Sequence, residues 1–406
     1  MSRHTRRVRA RYSFAVAATA LILLAGCRQR LLSGAGVDPD RVRAIEQAIA
    51  QLRGRPFGAS AHVDVLDRDA MAATVMRLRE RDENLHILRI RSIVDRAFGD
   101  PWTTDPIGAM RRLPADNAFA VYSPSDDTLF LSRARLESAA TIDLREFVHG
   151  GQTLAELVVT HELAHAWQHR HFPALFAVTD DIDEWETQHA LIEGDAEVTT
   201  LALMEHAVDD HALDTYQRLR QRMAAAAGQQ PESNRDWQLR YAYTPRYLSR
   251  IVRERGWAGL NAFLDDPPRA TAAILEPLAQ AQLDSSGDQQ FLCPAGWQYA
   301  ADTRIGAFQI PPLLRMSPKT TLEMAGWRGD RLQICVRGDD LQWRWHTRWD
   351  SEAAATSFVA AVRAHLQRQH PQVTFGEGDS VRVSPVSWIE RRGRVVSVAD
   401  GRVATP

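Results

Sequence analysis

The sequence predicts an α+β fold: a mostly helical region with a small β-hairpin, followed by a smaller α+β segment. Before residue 290, apolar residues recur mainly at helical spacing, and a β-hairpin pattern interrupts them at residues 117–131. After residue 290, polar and apolar residues alternate on both sides of Gly338-Asp339-Asp340, which is typical of two paired strands. The chain has 406 residues, enough for two domains, which we place at 38–290 and 291–406.

The first 26 residues have the pattern of a bacterial signal peptide. Five arginines precede an apolar run of about 15 residues that ends at Gly26. This run is shorter than the ~20 residues that a membrane-spanning helix needs. Leu24-Ala25-Gly26-Cys27 resembles the lipobox of bacterial lipoproteins, in which the cysteine is lipidated and becomes the first residue. The resemblance implies a lipid anchor at Cys27, a short tether over 27–37 and a periplasmic location. The next residue is Arg28 rather than Asp, and the Gram-negative sorting rule that the resemblance implies then favours the outer membrane.

The charge of the chain excludes one class of partner. The formal net charge is −2, and removal of residues 1–26 with their five arginines leaves it near −7. A mildly acidic chain gives no reason to expect nucleic-acid binding. The expected partners are a peptide or protein substrate and the membrane, and the sequence leaves a further protein partner open. Besides Cys27, only Cys293 and Cys335 remain; a disulfide between them is plausible in the periplasm, and the sequence leaves it open.

Two stretches before the hairpin predict helices. Residues 38–52 are amphipathic, and Asp38 and Asp40 lie near the start, where acidic residues stabilise a helix. Residues 67–97 carry apolar residues at helical spacing and predict either one long helix or two. In the hairpin, β-forming residues flank a Ser-Pro-Ser-Asp-Asp turn.

The stretch His161-Glu162-Leu163-Ala164-His165 has the HExxH spacing of a metal-binding helix. His161 and His165 lie one helical turn apart, so both imidazoles face the same side and can bind one ion. Glu162 lies beside them and is placed to take a proton from water activated by that ion. The flanking residues are uncharged, as a buried helix requires. The pattern alone is only moderately specific, so the prediction needs a third ligand elsewhere in the chain.

The segment Ala190–Glu197 supplies the candidate third ligand. A catalytic zinc keeps three protein ligands and one open position, and two histidines plus one glutamate are a common set. We therefore predict Zn²⁺ bound by His161, His165 and Glu193. Glu197 follows one turn after Glu193 on the same helix face, where it can accept the free ring N–H of a ligand histidine. Asp195 lies on a different face, and we expect it to pair helices or to support the ligands.

The two segments together resemble the gluzincin class of zinc peptidases, which place HExxH on one helix and a ligand glutamate on a later helix. The resemblance implies a zincin-like metallopeptidase domain over 38–290. It also implies a small sheet before the active helix, whose edge strand pairs with an extended substrate. The hairpin at 117–131 is the candidate, and a hairpin that only packs under the helix remains equally open.

A second resemblance covers more of the chain. Residues 265–277 are similar to a Pro-Pro-x-Ser-Thr-x-x-Ile-Leu-x-Pro segment of uncharacterised bacterial zincin-like proteins, often lipoproteins, which also carry HExxH and Glu-Gly-Asp-Ala. Ala270 stands here in place of the serine. The similarity extends to residues 325–331 and 349–352. Only the HExxH and Glu-Gly-Asp-Ala segments bear on chemistry.

His171 competes with Glu193 as third ligand. It follows His161 by ten residues, the spacing at which metzincins place their third histidine. Metzincins need glycine at the position held here by Gln168, so that the chain can leave the helix and turn back. Glutamine continues a helix, and the first strong helix breaker is Pro173. We therefore favour Glu193.

Two further residues are candidates for the chemistry. A helix over about 184–207 places His189 on one stripe with Glu193 and Glu197, where it would polarise the substrate or stabilise the oxyanion. A merely polar role for His189 is also open. Tyr241 and Tyr243 lie at the start of a later helix and invite comparison with the phenolic donor of gluzincins. At this density of aromatic residues, a place in the core is an alternative for both.

The predicted activity is hydrolysis of a peptide bond by a membrane-anchored zinc metallopeptidase. Two alternatives stay open: a scaffold or chaperone lipoprotein with a zincin-like fold but no activity, and a cell-wall-binding lipoprotein. The second would use the tryptophans of the C-terminal strands as a binding face, although burial of these tryptophans is the commoner case. A general base at Glu162 has no use in a purely structural site, which favours the peptidase.

Overall fold

The structure is a computed structural model that describes residues 31–33, 36–99, 118–137, 154–226, 235–275, 292–316, 326–372, 380–382 and 387–402. The predicted signal peptide and the lipidation site Cys27 lie outside these residues, as does part of the tether over 27–37. Among the described residues, no helix is both long and apolar enough to cross a membrane. The fold is mixed α+β, with a helical N-terminal region and a β-sheet C-terminal region, which confirms the predicted class.

The helical region follows the apolar periodicity of the sequence. The predicted helix after Asp38 is confirmed: Asp38 caps it by accepting the N–H of Asp40. The stretch 67–97 forms two helices rather than one. The helices of the region are α1 (Pro39–Arg53), α2 (Arg68–Arg79), α3 (Asp82–Ala97), α4 (Leu154–His171), α5 (Ile182–Glu205), α6 (Asp210–Ala226), α7 (Arg235–Gln238), α8 (Thr244–Asp265) and α9 (Ala272–Leu275).

A three-stranded sheet lies beside α4. After the short pair β1 (Leu32–Ser33) and β2 (Gly36–Val37), the strands are β3 (His62–Leu66), β4 (Ala120–Ser123) and β5 (Thr128–Ser132). The predicted hairpin is confirmed as the antiparallel pair of β4 and β5. The strand β3, which we did not predict, pairs in parallel with β5, so β4 is an edge of the sheet. Both β4 and β5 contact α4, and β4 does so more extensively.

Helices α4 and α5 form the centre of the helical region. Their apolar residues, among them Val159, Leu163 and Leu191, are fully buried in one core with residues of α1, β5 and α8. A 3₁₀ turn, Pro173–Phe176, ends α4 where proline cannot continue the helix. The carboxylate of Asp181 then caps α5 by accepting the N–H of Glu184 at 2.9 Å. The two helices therefore run side by side with a short connection.

The C-terminal region is a six-stranded antiparallel sheet with one long helix across one face. The predicted hairpin around Gly338 is confirmed, and a helix follows Ser351, which caps it. The strand order is β6-β7-β8-β11-β10-β9. These elements are β6 (Gln298–Thr303), α10 (Gly306–Leu313), β7 (Trp327–Arg337), β8 (Asp340–Trp349), α11 (Glu352–Gln369), β9 (Ser380–Arg382), β10 (Trp388–Arg392) and β11 (Val395–Arg402).

Four tryptophans of this sheet lie in its core. Trp327, Trp343, Trp345 and Trp349 are at most 2% exposed and pack under α11. A binding face made of these tryptophans is therefore not available, and the commoner expectation of burial is confirmed. Cys293 and Cys335, whose pairing the sequence left open, form a disulfide.

The two regions share one core. Helix α3 belongs to the N-terminal region in sequence, but Ile87, Ile90 and Val94 pack on the C-terminal sheet. Phe98, just after α3, stacks on Trp343 with ring centroids 4.7 Å apart. The predicted division at residue 290 therefore separates two segments of sequence whose apolar faces are buried against each other.

Candidate metal centre

Helices α4 and α5 bring the three predicted ligands together. His161 and His165 on α4 face Glu193 on α5. Nε2 of His161 lies 3.1 Å from Nε2 of His165 and 3.2 Å from Oε2 of Glu193. Nε2 of His165 lies 3.8 Å from the same carboxylate oxygen. One ligand atom from each residue thus points to a common position.

These distances suit a zinc ion. Two ligands held ~2.0–2.1 Å from zinc at the tetrahedral angle are ~3.3 Å apart, close to the separations observed. Burial lowers the pKa of His161 to about 4, which keeps the ring in the neutral form that binds metal. Burial opposes ionisation of Glu193, but its contacts with His161 and His165 outweigh it and hold the Glu193 pKa below its usual range. A neutral imidazole at His161 and a carboxylate at Glu193 are therefore available beside the ring of His165, and three such ligands would leave a fourth position on zinc for water or substrate.

Glu162 lies at the same cavity and is held by the sheet. Its Oε2 accepts the backbone N–H of Tyr122, on the edge strand β4, at 2.8 Å. Burial raises the pKa of Glu162 above its usual value. A carboxyl group that must take up a proton in one step and release it in the next is helped by such a raised pKa.

Glu197 lies behind His161, on the side away from the other ligands. Its Oε1 lies 3.2 Å from Nδ1 of His161 and 2.8 Å from a guanidinium nitrogen of Arg220, with which it forms an ion pair. Tyr216, one turn before Arg220 on α6, also faces this carboxylate and counteracts the rise in its pKa. Burial raises the pKa of Glu197 to about 7, against the opposing charge of Arg220. Glu197 is therefore where the spacing predicted, and α6 supplies its partners.

Asp195 reaches the site only through Gln168. The Oε1 of Gln168 lies 2.9 Å from Nδ1 of His165, and its Nε2 donates to Oδ2 of Asp195 at 2.8 Å. Asp195 itself is fully buried and faces α1 rather than the ligands. The position at which a metzincin needs glycine is thus filled by a glutamine that contacts a ligand.

Tyr241 is brought to the ligands by a close approach of two helices. Its hydroxyl donates to Oε2 of Glu193 at 3.0 Å. It lies in a single π-helical turn, Leu239–Tyr243, that Thr244 closes by donating to the Leu239 carbonyl. A Cβ on Gly194 would lie only 2.5 Å from the Thr244 methyl, so the glycine allows this turn to reach the metal helix. By contrast, Tyr243 is 45% exposed and does not line the cavity.

The two other histidines occupy different places. His189 lines the cavity and its Nδ1 donates to the carbonyl of Trp185 at 2.9 Å. Burial lowers its pKa to about 4, so it is neutral at physiological pH and its Nε2 is the ring atom left for a substrate. His171 lies at the end of α4, where its Nε2 is 2.8 Å from the carbonyl of Pro56. His171 is therefore not placed as a third ligand.

The ligands open onto a cavity of about 710 Å³. One wall comes from β4 and the turn after it, and the opposite wall comes from the chain around the 3₁₀ turn and from α5. Apolar side chains supply much of both walls, while the polar groups gather at the ligands. The cavity is lined by Phe119–Tyr122, Pro124, Ser125, Val158, His161, Glu162, His165, His169, Leu175–Thr179, Trp185, Gln188, His189, Ile192, Glu193, Arg220 and Tyr241.

Sequence reasoning missed three polar residues around the ligands: Gln168, Tyr216 and Arg220. Tyr216 and Arg220 lie one turn apart on α6, a spacing that would have paired them on one face. No sequence pattern near α6 indicates that this face of the helix lies against Glu197. Gln168 was read only as a residue that continues the helix, although its place one turn after His165 makes contact with that ring possible.

Comparison with known proteins reaches only the C-terminal region. Residues 292–405 match the model of a family described as a domain of unknown function (DUF8575). This match lies within the segment predicted at 291–406 and includes none of the candidate ligands. No curated protein and no solved structure matches the chain.

Proposed function

We propose that the protein is a zinc-dependent peptidase of the bacterial periplasm, anchored to a membrane by lipid on Cys27. The observation that carries the proposal is the convergence of His161, His165 and Glu193 with Glu162 at one cavity. The distances between the ligand atoms support zinc, and the HExxH spacing supports hydrolysis. The anchor rests on the sequence pattern alone.

Bound zinc would supply a Lewis acid and lower the pKa of a coordinated water. Glu162 is the group that takes a proton from the attacking water and returns it to the leaving amine. The hydrogen bond that Glu162 accepts from Tyr122 orients the Glu162 carboxylate. The raised pKa of Glu162 favours the protonated form that it adopts between the two proton transfers. Tyr241 has its hydroxyl at the ligands and is the candidate donor to the developing oxyanion. His189 is a neutral second candidate.

An extended peptide suits the walls of the cavity. The strand β4 is an edge of its sheet and lines the cavity, so its outward backbone groups other than the Tyr122 N–H, which Glu162 accepts, can pair with a substrate in β conformation. Apolar residues on both walls, including Phe119, Phe176 and Ile192, favour apolar side chains next to the scissile bond.

The decisive experiment compares the wild type with Glu162→Gln on a mixed peptide library. We expect the wild type to bind about one zinc and to cleave, and Glu162→Gln to retain zinc while kcat/KM falls by ~10²–10⁴. Glu254→Gln, at an exposed position on α8, is the matched control and should cleave like the wild type. Zinc binding without cleavage by the wild type would instead support the scaffold alternative. A folded wild type that binds no zinc would refute the proposal.

A further inference from the structure

We propose that Arg53, acting through Asp195 and Gln168, fixes the ring of His165 in the tautomer that carries its proton on Nδ1. The tautomer is a property of the metal-free protein. Only its effect on zinc binding rests on the proposed function. Arg53, Asp195 and Gln168 would then be positioning residues of the metal centre. None of them lines the cavity.

The chain of hydrogen bonds starts from a group that can only donate. The guanidinium of Arg53 has five N–H donors and no acceptor. It donates to Oδ1 of Asp195 at 2.6 Å, to Thr199 at 3.0 Å and to Oδ1 of Asn261 at 2.8 and 3.0 Å. The side chains of Arg53 and Asp195 are 1% and 0% exposed, so water does not compete for these contacts. Because every contact of the Arg53 guanidinium is a donation, Asp195 meets it as an acceptor.

The second step orients the amide of Gln168. Oδ2 of Asp195 lies 2.8 Å from one end of this amide, and the carbonyl of Ile192 lies 2.9 Å from the same end. Both neighbours are acceptors, so this end must be the NH₂ group. The opposite end is then the amide oxygen, and Gln168 is 0% exposed, which prevents water from exchanging the two ends.

The third step sets the proton on His165. Its Nδ1 lies 2.9 Å from the amide oxygen of Gln168, which can only accept. The neutral ring must therefore carry its hydrogen on Nδ1, and the lone pair is left on Nε2. That lone pair faces Nε2 of His161 and the carboxylate of Glu193. The network thus prepares His165 to ligate a cation before any cation binds.

Aromatic packing holds the start of this network in place. The guanidinium of Arg53 lies 4.4 Å from the ring centroid of Trp167 and 5.3 Å from that of Trp257. Trp167 is on α4, one residue before Gln168, so the same helix carries the packing partner and the oriented amide. Arg53 itself is the last residue of α1, which ties this helix to the metal centre.

The test measures the tautomer of His165 directly. ¹⁵N-labelled, metal-free wild type is examined by long-range ¹H–¹⁵N NMR at about pH 8, above the ordinary pKa of histidine. We expect His165 to show a protonated Nδ1 and an unprotonated Nε2. A wild-type His165 protonated on Nε2 would overturn the proposal, even if every variant failed to fold. The measurement does not need zinc, so failure of the proposed peptidase function would not be confused with failure of this inference.

Variants test the consequence for metal binding. Gln168→Met keeps the volume of the side chain but removes both ends of the amide, and we expect mixed tautomers and a ~10–100-fold loss of zinc affinity. Gln188→Met is the matched control: Gln188 is a buried glutamine at the same cavity, and its amide donates to the carbonyl of Ala174 at 3.3 Å. The control should bind zinc like the wild type. An unchanged tautomer and zinc affinity in folded Gln168→Met would contradict the role assigned to Gln168.

Discussion

The buried pair of Arg53 and Asp195 predicts a large and specific loss of stability. Replacing Arg53 by Met keeps apolar contact with Trp167 but leaves the Asp195 carboxylate without its cation. Breaking such a buried pair by removing one partner costs ~3–5 kcal/mol, because the remaining charge is neither paired nor hydrated. The free energy of unfolding of a typical domain is ~5–15 kcal/mol, so the variant would lose a large share of it.

The protein offers a matched control two residues along the chain. Arg55 pairs with Asp265 through two hydrogen bonds, at 3.0 and 2.6 Å, but the two side chains are 31% and 46% exposed. Exposed pairs contribute only ~0.2–1 kcal/mol, since water solvates whichever charge remains. We therefore expect Arg55→Met to cost less than about 1 kcal/mol. The comparison separates the effect of burial from that of losing an Arg–Asp contact.

The assay is urea unfolding of metal-free protein followed by circular dichroism, with the single variant Asp195→Leu and the double variant Arg53→Met/Asp195→Leu included. Replacing both members of a buried pair by apolar residues is much less costly than breaking it, so the double variant should recover most of the loss. If Arg53→Met costs no more than Arg55→Met, the reasoning from burial is refuted. A double variant that loses the sum of the two single losses would refute the coupling between the charges.

Three further predictions concern the ligands and the pH dependence. Zinc measured by mass spectrometry should be lost in Glu193→Ala and kept in His171→Ala, whereas the opposite result would move the third ligand to His171. Tyr241→Phe should keep zinc and lower kcat by ~10²–10³ if the phenol stabilises the oxyanion, and unchanged kcat would remove Tyr241 from the chemistry. Burial raises the pKa of Asp183 from 3.8 to about 7. The folded state therefore holds a proton that the unfolded chain releases, so this group's contribution to stability falls as pH rises from about 4 to 7 and is constant above. The free energy of unfolding of Asp183→Asn should lack this part of the decrease, which is at most ~3 kcal/mol between pH 5 and 8. An identical pH dependence in variant and wild type would contradict the contribution assigned to Asp183.

Local sequence patterns predicted the elements well. The spacing of apolar residues located α1 and the stretch that forms α2 and α3, because each depends on side chains three or four positions apart. The hairpins before α4 and around Gly338 also followed from local alternation and turn residues. The strand β3 was missed because it pairs in parallel with β5, which lies far along the chain and has no local turn to mark the pairing.

The sequence by itself determined which atoms can meet on one helix. The HExxH spacing places two imidazoles on one face, and the spacing of Glu193 and Glu197 does the same for two carboxylates, since a helix repeats every 3.6 residues. It also favoured Glu193 over His171, through the residues that continue or break α4.

Only the tertiary structure decided which side chains surround these ligands. Arg53 meets Asp195 across 142 residues of sequence, and Tyr241 meets Glu193 across 48. Gly194 admits the turn that carries Tyr241, and no periodicity of α5 indicates which helix comes that close. The tertiary structure also placed the tryptophans of the C-terminal sheet inside the core rather than on a binding face. These contacts depend on how whole faces of helices and sheets are buried against one another, and that packing is a property of the complete fold rather than of any segment.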